Sequence, residues 1–389
     1  MPPDPLEDVV SGQYERWVYP EPILDLPAWL EDNWQWFDPS HSSRLLWPDR
    51  DYREGLDILV AGCGTNQAAV LAFTNPSAHV VAIDVSAASL SHHRYLADKY
   101  ALHNLELKRL PIEEVATLGR DFDLIVSTGV LHHLADPLEG MRALGGRLRD
   151  DAVLAVMLYA RYGRAGVDML QGVFRDLGLR QDEPSLAIVR EALGDLDDSH
   201  PIHRYMSMAP DLQFDGGLVD TFLHGRERHY TIGECVDLVT DAGLVFQDVF
   251  LKTPYHPFRP EESAFRAAIA ALPREAQWSV MERINARNAC HFFTASRPER
   301  PVSSYEIDIA GTALLDLVPS LRFRVELVGH TIRRPGWSLG LSPAEAAAVA
   351  LIDGRRTIGE ITIAAGADGA LFRRLWHGDF IALGLTSQP

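Results

Sequence analysis

Residues 57–84 read DILVAGCGTNQAAVLAFTNPSAHVVAID. An apolar run meets two glycines one residue apart, Gly62 and Gly64, and passes into a helical stretch. A second apolar run, HVVAID, follows and ends on Asp84. Strand, tight turn, helix and strand in that order are the start of a βαβ unit, whose two strands pair in parallel. Glycine at the turn lets a ligand approach the backbone with no Cβ in the way. By itself GxG after a strand is weak, because many tight turns share it. Asp84 adds weight, since a carboxylate ending the second strand can accept both hydroxyls of a ribose. Its blander role is to cap the helix that follows, a job Ser86 can also do.

Outward from that unit the alternation continues. LELKRL reads as a third strand, FDLIVST, ending at Thr128, as a fourth, and AVLAVMLY, ending at Tyr159, as a fifth, with the amphipathic LSHHRYLADKYAL among the helices. Short apolar runs separated by helical stretches predict a mostly parallel sheet of α/β class. Residues from about 161 to 230 break the rhythm with helical pieces such as GVDMLQGVFRDLGL and form an insertion. TIGECVDLVTDAGLVFQDVFLK then reads as helix, glycine stop and strand, and CHFFTAS as the last strand. Upstream, residues 1–50 carry Trp17, Trp29, Trp34 and Trp36 among prolines and acids and predict a helical cap. The α/β domain is expected over 51–298. RPERPVSS serves as a linker to a compact module at 305–389.

Composition limits what the chain does. Lys and Arg total 36 against 54 Asp and Glu, a net charge of -18, and the acids are dispersed. That field repels phosphate backbones and anionic lipid, so neither nucleic acid nor membrane is expected as a partner. No apolar run approaches the roughly 20 residues that span a bilayer. The start, MPPDPLEDVV, lacks the basic and apolar regions of a signal peptide, so a cytoplasmic location is expected. Cys63, Cys235 and Cys290 lie too far apart to suggest a disulfide framework or a metal knuckle.

Two nucleotide readings remain for GxG followed by Asp84. A nicotinamide-binding dehydrogenase would want a third glycine, and this chain has GCGTNQ. The downstream stretch FDLIVSTGVLHHLADP, together with VAGCGT, IDVS and AVLAVMLY, resembles the class I S-adenosylmethionine-dependent methyltransferases over roughly residues 13–296. QYERWVYP at 13–20 and DTFLHGRERHYT at 220–231 are similar to elements of bacterial methyltransferases often fused to tetratricopeptide repeats. The resemblance implies a Rossmann-like seven-stranded sheet with a helical insertion, S-adenosyl-L-methionine as cofactor and S-adenosyl-L-homocysteine as product. It also implies that Ala61, Gly62, Cys63, Gly64 and Asn66 cradle the methionine part, that Asp84 binds the ribose, and that Val85, Pro111 and Ile112 surround the adenine. Thr128 and Gly129 would complete the site, with Tyr14 closing over the methionine carboxylate and Arg16 offering it charge. The loop departs from the family at Val60, where an acid is usual, and at Asn66, where a glycine is. Asn66 is expected to take left-handed backbone angles in that glycine's place.

Methyl transfer from a sulfonium is an in-line displacement, and a base is required only when the acceptor must lose a proton. His132 and His133 follow strand four where the methyl should point, one facing the site and the other packing. Tyr159 ends strand five at the carboxyl edge of the sheet. Arg161, Tyr162 and Arg164 form either a substrate clamp or a solvated turn. Asp220 and His224, four apart, would share a helix face and form an oriented base. Arg226, Glu227 and Arg228 are expected in ion pairs. No metal is expected. The substrate is expected to be a small molecule or a peptide side chain. LSPAEAAAVALIDGRRTIGEI in the C-terminal module resembles small winged-helix domains that hold peptides. The blander role of that module is packing or dimerisation, so a homodimer is among the expected states.

Overall fold

The computed structural model describes residues 5–256 and 263–386. The chain forms two compact units. The first contains Met1–Trp36, Gly55–Phe246 and Glu282–Pro298, and the second Phe37–Glu54, Gln247–Met281 and Glu299–Pro389. These boundaries differ from the division at 1–50, 51–298 and 305–389, because residues 37–54 and 247–281 cluster with the C-terminal part.

A seven-stranded sheet organises the chain. Its strands are β1 (Asp57–Ala61), β2 (His79–Asp84), β3 (Leu105–Arg109), β4 (Phe122–Thr128), β5 (Leu148–Tyr159), β6 (Val245–Val249) and β7 (Cys290–Ser296), in the order β3-β2-β1-β4-β5-β7-β6. Pairings from β3 through β5 are parallel, and β7 runs antiparallel to β5. In register, Leu59 stands between Val81 of β2 and Ile125 of β4. Ile58, Leu59, Val60 and Ala61 are all fully buried, so both faces of β1 are covered, which accounts for its unbroken apolar run. The strand order reverses between β1 and β4, and open α/β sheets bind ligands in the crevice outside the carboxyl ends at such a point.

The insertion is helical, with Ala165–Asp176, Glu183–Asp195, Ile202–Met206 and Asp215–Phe222. Val167, Leu170 and Phe174 recur on one face of the first of these and meet Leu186, Val189 and Phe222 in a core of their own. At the N-terminus Asp8 caps the helix Val9–Arg16 and Asp25 caps Leu26–Asp32. The helix Pro39–Leu46, within the expected cap region, falls in the second unit.

That second unit carries the helices Pro343–Ala350, Ile358–Ala365 and Ala370–His377. Strand Val318–Leu321 pairs antiparallel with Ile381–Gly384, and a separate three-stranded sheet spans Glu326–Gly340. Capping boxes at Ser342/Glu345 and Thr357/Glu360 start the first two helices, and Val349, Ile361, Phe372 and Leu375 share one apolar core.

Candidate functional site

A cavity of about 400 Å³ opens at the carboxyl edge of β1, β2, β4 and β5, within the size range of small-molecule sites. Its floor is the turn after β1. Gly62 and Gly64 have φ of +74° and +52°, angles that a side chain resists. A Cβ at Gly62 would also fall 2.4 Å from a Val130 methyl. Cys63 lies on the wall between them, while Ala61 is buried in β1 away from it. Asn66 does not take the left-handed angles expected of it, since its φ is −127° and the two glycines supply the positive φ instead. Its amide faces the other way: Oδ1 accepts from the Ile23 N–H at 3.0 Å and Nδ2 donates to the Glu21 carbonyl at 2.8 Å.

Asp84 closes β2 at the cavity wall. Its Oδ2 accepts from the Gly64 N–H at 2.9 Å and its Oδ1 from the Ser86 N–H at 2.8 Å, so the helix-cap role falls to Ser86, whose hydroxyl accepts from Ser89 N–H. Burial pushes the Asp84 carboxyl up to about 6, while those backbone donors pull the other way. Each oxygen keeps lone-pair capacity for a hydroxyl, as ribose binding requires. Val85, Leu110 and Ile112 provide an apolar wall beside it, and Pro111 lies outside the lining. Glu113 also lines the cavity, with Oε2 buried and unpartnered. Thr128 and Gly129 complete this end, where Thr128 Oγ1 accepts from Gln67 Nε2 at 3.1 Å.

At the far end, residues distant in sequence meet. The Tyr14 hydroxyl donates to Asp220 Oδ1 at 2.7 Å, and the Tyr159 hydroxyl donates to Oδ2 at 3.2 Å. His224 Nε2 lies 3.4 Å from the Tyr14 oxygen, and its Nδ1 accepts from the Arg226 N–H at 3.0 Å. The His224 proton is therefore assigned to Nε2, which donates to Tyr14. Asp220 does not orient His224 directly, because the helix ends at Phe222 and Tyr14 stands between the two groups. His133 stacks on His224 at 3.8 Å and lines the cavity. Its Nδ1 lies 2.9 Å from the Arg226 carbonyl, an acceptor, so the ring donates there and Nε2 is left as a buried, unpartnered lone pair. His132 packs away from the cavity, stacked on Tyr159 at 4.0 Å with neither nitrogen bonded.

Burial sets the protonation of this cluster. It pushes Asp220 up to about 7, against the Tyr14 hydrogen bond, and lowers His133 to about 4. His132 and His224 are likewise held below the usual imidazole range, and the Tyr14 and Tyr159 phenols well above theirs. Among the described residues, His133, Asp220 and His224 bring one ligand-capable atom each within 4.8 Å of one another. The protonated Nε2 of His224 leaves that trio one lone pair short of a cation cage; Asp220, Tyr14 and His224 form a hydrogen-bonded chain instead, with His133 stacked on its end.

Arg164 is neither a clamp nor a solvated group. It is 1% exposed, pairs with Glu227 at 3.1 Å and lies 3.7 Å over the Tyr159 ring. Burial favours the neutral acid at Glu227, yet Arg164 and His229 outweigh it and hold the carboxyl well below its ordinary range. Arg161 pairs with Glu234 at 2.8 Å, and Tyr162 is partly exposed. Arg16 is exposed over Trp17, away from the cavity. The arginine on the cavity wall is Arg226, paired with Asp8. Met157 and Tyr19 are further wall residues that the sequence reading missed. Met157 was legible, since it lies two residues before Tyr159 on one strand and so shares its face.

Residues 59–154 match the model of a family described as a methyltransferase domain. That segment is similar to the methyltransferase domain. An uncharacterized protein of Synechococcus sp. is 32% identical over 253 residues, which cover 63% of this chain. The chain spans about 60% of that relative's length. Among solved structures, PKMT2 of Rickettsia typhi in complex with AdoHcy aligns with a TM-score of 0.65 at 12% identity, covering 90% of this chain and 76% of that one. A second structure of the same protein gives 0.65 at 13%, with the same coverage. With the strand order above, these likenesses show the class I methyltransferase fold. The matched segment 59–154 contains Gly62, Asp84, Thr128 and His133.

Proposed function

We propose that this protein binds S-adenosylmethionine and transfers its methyl group to a small molecule or a peptide side chain by in-line displacement. The observation that carries the reading is Asp84, fixed by Gly64 and Ser86 at the reversal of strand order, on a cavity that continues to Tyr14, His133 and Tyr159. The bound cofactor would supply a sulfonium-activated methyl. Asp84 would accept the ribose hydroxyls, the Gly62–Gly64 turn would give backbone donors to the methionine part, and Val85, Leu110 and Ile112 would cover the adenine. At the reacting end, Met157 and Tyr159 exclude water, and the free Nε2 of His133 accepts a hydrogen bond, and then the proton, from an acceptor hydroxyl. Tyr14 and Asp220 hold the ring stack of His133 and His224 in place.

Binding without catalysis is the second reading. Both Asp220 oxygens are already engaged by tyrosines, so the hydrogen-bonded chain is complete with no substrate. Calorimetry of the whole chain with S-adenosylmethionine, AdoHcy and NADH tests the shared part, with binding of the first two and not the third expected. Binding of neither adenosyl ligand would sink both readings. Incubation with methyl-labelled cofactor and small-molecule or peptide extracts separates the two, because label transfer requires the enzyme.

A further inference from the structure

The segment from Pro5 to Ile23 runs along the cavity and puts Asp8, Val10, Tyr14, Tyr19 and Pro20 on its wall. Its root is fastened to the residues that follow the glycine turn. Thr65 Oγ1 donates to the Pro20 carbonyl at 2.7 Å, Asn66 Nδ2 donates to Glu21 O, and Asn66 Oδ1 accepts from Ile23 N–H. Both side chains are buried, at 0% and 5% exposure. The segment lies directly on the turn, where a Cβ at Gly64 would be 3.1 Å from Pro20 Cδ and 3.3 Å from the Tyr19 carbonyl. Beyond the root the chain is tied to the helix Ala87–Tyr100, through His92 Nε2 to Ile23 O at 2.9 Å and through Leu26 N–H to the Tyr100 hydroxyl at 3.1 Å. The limb before the root reaches the opposite end of the cavity, where Tyr14 meets Asp220, and on the way the Glu15 carboxylate accepts from the Ala87 and Ala88 N–H groups just after Asp84.

A segment tied at both ends of a cavity must loosen for a ligand to pass beneath it, and the buried ties cost more to break than the exposed ones. Thr65 and Asn66 are the buried ties nearest the turn. We infer that they are positioning residues which root the segment Pro5–Ile23 over the cavity and so set the release rate of an S-adenosyl ligand. Asparagine at position 66 thus has a task that a glycine has no side chain to perform. The inference rests on the reading that the cavity holds such a ligand.

Thr65→Ala/Asn66→Ala in the full chain should release AdoHcy about tenfold faster or more in a stopped-flow chase, with the association rate changed by no more than about threefold. Limited proteolysis of the ligand-free variant should cut within residues 5–23 faster than in the wild type. Asn66→Asp keeps the acceptor for Ile23 N–H and loses the donor to Glu21 O, so it should fall between the two. It and Thr65→Val serve if the double variant does not fold. A release rate that is unchanged, or that rises only in step with the unfolded fraction, overturns the inference. If the wild type binds neither adenosyl ligand, the proposed function fails by itself. The proteolysis arm still reads the root, and equal protection in wild type and variant overturns it.

Discussion

At the scale of single residues, Asp84 shows how one carboxyl answers to two environments. Burial raises its pKa to about 6, and two backbone N–H groups restrain the rise. A ribose hydroxyl bonds the ionised form more strongly, because charge-assisted bonds are the stronger ones. Affinity for AdoHcy should therefore be full above that pKa and fall as the pH drops through it. Asp84→Asn keeps the shape but not the charge. It should lose about 1–3 kcal/mol of affinity and the pH dependence with it. Calorimetry between about pH 5 and 8 checks both. A flat wild-type profile, or unchanged affinity in the variant, would remove Asp84 from the site. The same logic separates His133 from His132, neighbours with opposite duties. A backbone carbonyl fixes the tautomer of the first, which lines the cavity and keeps a buried lone pair on Nε2, while the second has no partner and packs on Tyr159.

At the scale of elements, the site depends on how strand ends turn. Gly62→Ala forces an L side chain to φ +74° and drives its Cβ into Val130. It should destabilise the fold by at least about 1–2 kcal/mol and weaken cofactor binding further. Val130→Ala beside it removes the two methyls that clash, though its Cβ stays 3.0 Å away and the backbone angle is unchanged, so denaturant unfolding of the double variant should show partial recovery. Full recovery would mean that the clash was the whole cost. Strand ends are also where sequence reads best. β1, β2, β4 and β5 announce themselves as apolar runs because the sheet is covered on both faces, and Asp84 and Tyr159 follow as their last residues. Tyr14, His133 and Asp220 meet only through long-range packing, and no local period reports that. Arg164 reads in sequence as a clamp or a solvated residue because charge predicts exposure until its partner is known, and Glu227 is 63 residues away. Asn66 was misjudged for a related reason: backbone tolerance is visible in sequence, whereas a side chain bonded to Glu21 and Ile23 is not.

Across the whole molecule, buried titratable groups pull stability in two directions as the pH falls. Nine histidines have lowered pKa values, chiefly through burial: His41, His92, His93, His132, His133, His224, His256, His291 and His377. Between the unfolded value of about 6.5 and these lower ones, the unfolded chain binds more protons than the folded one, so stability declines as pH drops through that window. Asp84, Glu113, Asp220 and Glu282 are raised by burial and work in the opposite sense, since the folded state protonates first. Protonating acids also relaxes the self-repulsion of a net charge of -18, but salt screens that between exposed groups. The imidazoles outnumber the raised acids, and at moderate salt the thermal midpoint should fall steadily from about pH 6.5 to 4. His132→Phe removes one titrating ring while keeping an aromatic ring against Tyr159, so its curve should be shallower over the same window. Scanning calorimetry at two ionic strengths separates the contributions. A midpoint that rises on acidification at high salt would mean that the four raised acids dominate, and Asp220, raised furthest toward neutrality with Glu282, would be the first to replace by Asn.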